Sequence, residues 1–159
     1  MRTAIWVTSL AVGLAYAIFA YATLDRRGDE VVLNEMIVSA AAAVENRDVG
    51  GVMDIVSSSY KDQDGMNYDR LRMITAQAVR SEQDYSVVVS VKSMRVDGEN
   101  AIVDMHASVT TKPSSATLYD RDLTVHFAKE SARHALLIPV QVWRVVKVEN
   151  FGLDFTKDW

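Results

Sequence analysis

Residues 85–111, YSVVVSVKSMRVDGENAIVDMHASVTT, decide the fold. On both sides of Asp97-Gly98-Glu99-Asn100 apolar and polar residues alternate with a period near two, and β-branched residues dominate. That is the pattern of two half-buried strands, and a glycine in the connection supplies the positive φ that a tight hairpin turn requires. In residues 101–111 the inward phase is Ala101, Val103, Met105, Ala107 and Val109, which leaves Ile102, Asp104, His106 and Ser108 on the opposite face. Working outward, residues 118–128 and 138–149 repeat the alternation, while residues 112–117, with a proline and two serines, and residues 129–134 read as loops. Consecutive hairpins build an antiparallel meander, and a sheet with one apolar face needs a cover.

The cover lies upstream. Leu33, Met36, Ile37, Ala40 and Val44 recur at helical spacing, with Asp29 placed as an N-cap and Asn46-Arg47-Asp48 as a break. A second, brief helix carries Val49, Val52, Met53 and Val56, weakened by Gly50 and Gly51 by about 1 kcal/mol each relative to alanine. Residues 57–65 read as a polar loop, and Asn67 caps a third helix carrying Leu71, Ile74, Ala78 and Val79. The fold class is therefore α+β, with helices on one side of a curved antiparallel sheet.

In front of these elements, residues 3–24, TAIWVTSLAVGLAYAIFAYATL, contain no charge. At 1.5 Å per residue such a helix crosses the hydrocarbon core of a bilayer, and Arg26 and Arg27 end the run abruptly. Trp6 near one end and Tyr16 and Tyr21 toward the other suit interfacial or partner contacts. Arg2 and the motif Ala20-Tyr21-Ala22 also fit a cleaved signal peptide; the length of the apolar run favours a retained single-pass anchor. A short N-terminal tail before a long apolar helix is the layout of an uncleaved signal anchor, which places the domain on the extracytoplasmic, periplasmic side. Three regions result: anchor and charged joint (1–28), one domain (29–150) and an aromatic tail (151–159).

Composition excludes several classes. Net charge is −4 with both signs interspersed, so no basic face stands ready to displace counterions from nucleic acid. The absence of cysteine removes disulfides, thiolate metal sites and cysteine nucleophiles together. Gly50-Gly51 lacks the further glycine and the lysine of a phosphate cradle. No cofactor is expected.

The order of these features resembles the nuclear transport factor 2-like superfamily, whose members fold as a cystatin-like cone of helices against a bent antiparallel sheet. The resemblance runs over residues 31–149. It rests on ENRDVGGVMDIVSSSY, similar to the superfamily's short helix and closing aromatic at Tyr60, and on VVVSVKSMRVDGENAIVDMHASV and VQVWRVVKVENFG, similar to its hairpin and final strand. The anchor and the aromatic tail depart from many members. Enzymes of the superfamily, ketosteroid isomerase and the polyketide cyclases among them, hold an acid and a base inside the cone, and the resemblance implies a search for such a pair on the inward phase.

That phase is apolar here. His106 and His126 fall on the outward phase; with Asp104 they form the one constellation that would bind a metal or shuttle protons if neighbouring strands bring them together, but two imidazoles without a spacing motif more often lie exposed. Tyr60 is placed to line a pocket mouth or simply to pack with its hydroxyl at the surface. Phe151, Leu153, Phe155 and Trp159 crowd a short tail, and burying each contributes about 1.5–3 kcal/mol, so they fold back on the domain or dock on a partner. Gly13, among alanines, would let the anchor pack closely against another helix.

The expectation is a non-catalytic subunit, without catalytic, cofactor or metal residues, that meets the lipid bilayer and subunits of a membrane-protein complex, with a homodimer through the sheet face as a further contact. The layout resembles the inner-membrane component of type IV secretion and single-pass proteins that accompany mycobacterial lipid-import complexes. Two alternatives stand beside it: a small apolar ligand held in the cone, or an isomerase, dehydratase or cyclase of the same superfamily.

Overall fold

A computed structural model of the chain describes residues 12–20, 22, 27–80, 84–134 and 138–152. Three helices, α1 (Asp29–Glu45), α2 (Val49–Met53) and α3 (Tyr68–Arg80), precede four strands, β1 (Asp84–Asp97), β2 (Asn100–Lys112), β3 (Thr117–His134) and β4 (Ile138–Glu149). The strands form one antiparallel sheet in the order β1-β2-β3-β4, the meander expected of consecutive hairpins. Gly98, at φ +59°, takes the tight turn between β1 and β2, where Asp97 pairs with Asn100. Register shifts at Val91/Ser93, Val109/Thr110 and His126/Phe127 add residues to single strands and bend a sheet that is curved as a whole.

The two faces of the sheet divide as the alternation predicts. Ala101, Val103, Met105 and Ala107 of β2 and Leu123, Val125 and Phe127 of β3 are buried on the inner face, with Trp143 and Val145 of β4. Leu33 and Ile37 of α1, Met53 of α2, and Val56, Tyr60 and Met66 of the connection to α3 complete one continuous core. Each large apolar side chain there contributes about 1.5–3 kcal/mol relative to exposure. α1 runs chiefly along β1 and touches α2, which in turn touches α3. Residues 55–57 extend the sheet beyond β4: the Ser57 N–H donates to the Val145 carbonyl and the Val145 N–H to the Ile55 carbonyl.

Several local expectations are corrected. Residues 129–134, read as a loop containing His134, belong to β3, because pairing with β4 from Lys129↔Trp143 to His134↔Ile138 overrides their polar composition. Asp29 is not the N-cap of α1; Gly28 is, without a side-chain cap, and Asp29 sits in the first turn. Asp48 caps α2 instead, accepting from the Gly51 N–H, whereas Asn67 does cap α3, its Oδ1 accepting from the Arg70 N–H. Residues 57–65 form the expected loop, but Ser57, Tyr60 and Asp62 are buried within it. Ala78, expected on the core side of α3, is exposed.

Among the described residues no helix is long and apolar enough to cross a membrane. Residues 12–20 are helical, and the remainder of the uncharged run, apart from residue 22, lies outside the described residues.

Candidate functional site

The outer face of the sheet carries most of the titratable residues that the sequence singles out. His106 and His126 both lie there, but the register puts His106 opposite Asp122 and His126 opposite Ile102. Four residues of β3 separate the two positions, roughly 13 Å at 3.3 Å per residue, so the expected histidine constellation does not form. His106 instead sits between two aspartates, Nδ1 at 2.9 Å from Asp122 and Nε2 at 3.1 Å from Asp120. Lys92, the bulged residue of β1, donates to Asp122 at 2.6 Å. His126 meets Glu149 at 3.0 Å, and Lys147 donates to the same carboxylate oxygen at 2.7 Å.

Asp104 lies between these clusters. Its carboxylate accepts from Ser93 Oγ at 2.7 Å and Thr124 Oγ1 at 2.8 Å, with Arg95 at 4.0 Å. The two hydroxyls, Ser93 first, hold its carboxyl below the usual carboxylate range. Lys92 and then His106 lower Asp122 in the same way, and Lys147 and then His126 lower Glu149. A general base working near neutrality needs its carboxyl raised by burial, and these three carboxyls are shifted the other way. Among the described residues no group of three His, Asp or Glu is arranged to hold a metal.

The inner face is different. Tyr60 is 2% exposed rather than surface-facing, and its hydroxyl donates to Asp62 Oδ2 at 3.4 Å. Burial, with the nearby Asp62 carboxylate adding, pushes the phenol well above its ordinary value. Neither Asp104 nor His106 shares this interior, so the acid/base pair of the superfamily's enzymes is not assembled from the residues considered for it. Asp62 escaped the sequence reading. Its Oδ1 accepts from the Asp64 and Met66 N–H groups at 3.0 and 2.8 Å, and the run Asp62-Gln63-Asp64-Gly65 carries the signal, an aspartate folding the backbone around itself before a glycine at φ +77°.

A second unforeseen cluster joins the charged joint to the sheet. Lys129 Nζ lies 4.9 Å from the centre of the Trp143 ring, and both Lys129 Nζ and Trp143 Nε1 donate to Asp29 at 3.0 Å. These donors lower Asp29, Lys129 first. Arg27, just before α1, pairs with Glu35 of that helix. No local motif marks such a cluster, because Asp29 and Lys129 are a hundred residues apart.

At the C-terminus Phe151 turns back onto the domain: Tyr119 Oη donates to its carbonyl at 3.0 Å and the rings lie 6.4 Å apart. Leu153, Phe155 and Trp159 lie outside the described residues, as do Trp6 and Tyr21. In residues 12–20, Val12, Leu14, Ile18 and Phe19 are 60–64% exposed, Tyr16 is partly so, and a side chain at Gly13 would meet nothing within 4 Å.

With this geometry in place the chain can be set beside known proteins. No family model matches it, and no curated protein does. Solved structures do. A domain of unknown function with a cystatin-like fold from Nostoc punctiforme superposes with a TM-score of 0.59 at 13% identity, covering 76% of this chain and 74% of that one. The fold is cystatin-like. A protein of unknown function from Mycobacterium tuberculosis gives 0.58 at 13% identity over 76% of this chain and 73% of the other. Bd1075 from Bdellovibrio bacteriovorus gives 0.57 at 13% identity over 74% of this chain but 39% of its own length. At such identities the likeness establishes the cystatin-like architecture and leaves function to the chain's own residues.

Proposed function

We propose that this chain is a non-catalytic membrane-tethered domain: residues 3–24 act as a single-pass anchor, and the cystatin-like domain, on the extracytoplasmic side, binds and positions proteins of a membrane assembly. The observation that carries the reading is the exposure of Val12, Leu14, Ile18 and Phe19 on a helix that bears no charge. A helix apolar on all sides needs lipid or protein around it, since leaving such surface in water forfeits about 25 cal/mol per Å2. The domain supports the same reading. Its inner face is packed with Leu33, Val103, Met105, Val125 and Phe127, while its charged groups pair with one another on the outer face, available for polar contact with a partner or a second copy.

Membrane fractionation of the full chain tests it. The protein should stay with the bilayer through alkaline carbonate washing, and a photocrosslinking residue at Ser108 on the outer face should capture other membrane proteins while one at Met73 on α3 does not. Release of the intact chain into the soluble fraction would defeat the tether, and equal labelling from both positions would defeat the outer face as the docking surface.

A further inference from the structure

Where residues 55–57 leave the helical layer to join β4, a pocket of about 250 Å3 opens, and Asp54, Tyr68, Glu130 and Arg144 line it together with Met53, Val56 and Ser58. Met53 and Val56, both buried, are its apolar lining residues. Ser57, only 1% exposed, donates to Glu130 Oε1 at 2.5 Å and bonds Ser59 Oγ at 2.7 Å, which holds the glutamate in place. Arg144 is half-buried on β4, yet among the described residues it forms no ion pair within 4.0 Å, neither with Glu130 nor with Asp54. Elsewhere on this sheet opposite charges close on each other directly, as Lys92 does on Asp122 and Lys147 on Glu149. Here the same cavity wall presents a cation and two carboxylates that stay apart.

A guanidinium offers a planar fork of donors that matches a carboxylate or a phosphate, and it loses hydration when half-buried without a partner. Asp54 and Glu130 supply acceptors for an ammonium group, and Tyr68 adds an aromatic wall that tolerates a cation. A volume of about 250 Å3 suits a small molecule. We propose that this pocket binds a small zwitterion, its anionic group on Arg144 and its ammonium group against Asp54 and Glu130. The inference is independent of the tether, because the pocket is built wholly from residues of the domain.

Titration calorimetry on the full chain in detergent micelles tests it with γ-aminobutyrate and phosphoethanolamine, a carboxylate and a phosphate zwitterion, against acetate and ethylammonium as single-charge controls. At least one zwitterion should bind about tenfold more tightly than either control, the strength of one charge-assisted hydrogen bond. Preference for γ-aminobutyrate identifies a free amino-acid type of ligand, and preference for phosphoethanolamine a lipid-headgroup chemistry. Arg144→Gln and, separately, the exposed Asp54→Asn should each remove the preference while leaving the thermal midpoint in place. Zwitterions that bind no better than the controls at millimolar concentration, or variants that keep the full preference, would overturn the proposal.

Discussion

At the scale of single residues, this protein places its aspartates in two environments and uses them differently. Asp62 is 6% exposed and folds the chain around its own carboxylate, so Asp62→Ala leaves the Asp64 and Met66 N–H groups without their acceptor. The expected loss is about 1–3 kcal/mol, measured as a lower urea midpoint with the slope unchanged. Asp104, Asp122 and Glu149 lie on the outer face with carboxyls held below their ordinary values. A group whose pKa is depressed by folding stabilises the native state above its unfolded pKa and loses that contribution as pH falls through the folded value. Stability should therefore be level from neutrality down to about pH 5 and decline below about pH 4, the ordinary carboxylate range. The paired variant Asp104→Asn/Asp122→Asn should flatten that decline in pH-dependent thermal melts; an unchanged acid limb would show that these contacts contribute nothing.

At the scale of elements, the short helix α2 depends on one cap and one close approach. A Cβ at Gly51 would meet Asp48 Oδ2 at 2.7 Å and the Ala43 side chain at 3.1 Å. Gly51→Ala adds helix propensity worth about 1 kcal/mol but disturbs the Asp48 cap and the contact with α1, so a net loss of about 1 kcal/mol is expected in thermal or urea unfolding. Gly50→Ala, whose nearest contact is Asp48 Oδ1 at 3.2 Å, should cost less than Gly51→Ala. The strands show the same dependence on neighbours. β2 was legible because Ala101, Val103, Met105 and Ala107 alternate with polar residues, whereas the end of β3 was not, because Lys129-Glu130-Ser131 carries no apolar phase and is held in the sheet by β4.

At the scale of the whole molecule, the core is continuous from α1 through the connection before α3 to all inner-facing strands, so one deep truncation should be felt everywhere. Leu33 is a fully buried member of it; Leu33→Ala should cost about 2–5 kcal/mol in a single cooperative transition seen alike by circular dichroism and tryptophan fluorescence. Among the described residues the core cluster holds none before Val32, so a chain without residues 2–26 should unfold as cooperatively as the full chain while partitioning to the soluble fraction. Membrane retention of the shortened chain would assign attachment to the domain instead of the N-terminal segment.

The residue order alone determined the α+β class, the hairpin at Gly98, the apolar inner phase and the outward placement of both histidines, because alternation and turn chemistry act between neighbours in sequence. Only the tertiary structure decided which distant groups meet. Register separates His106 from His126, while helix-on-sheet packing brings Lys129 and Trp143 to Asp29 and sets Arg144, Glu130 and Asp54 around one pocket. These pairings follow from how a curved sheet and its helices pack, and packing joins residues by distance in space, for which spacing along the chain carries no code.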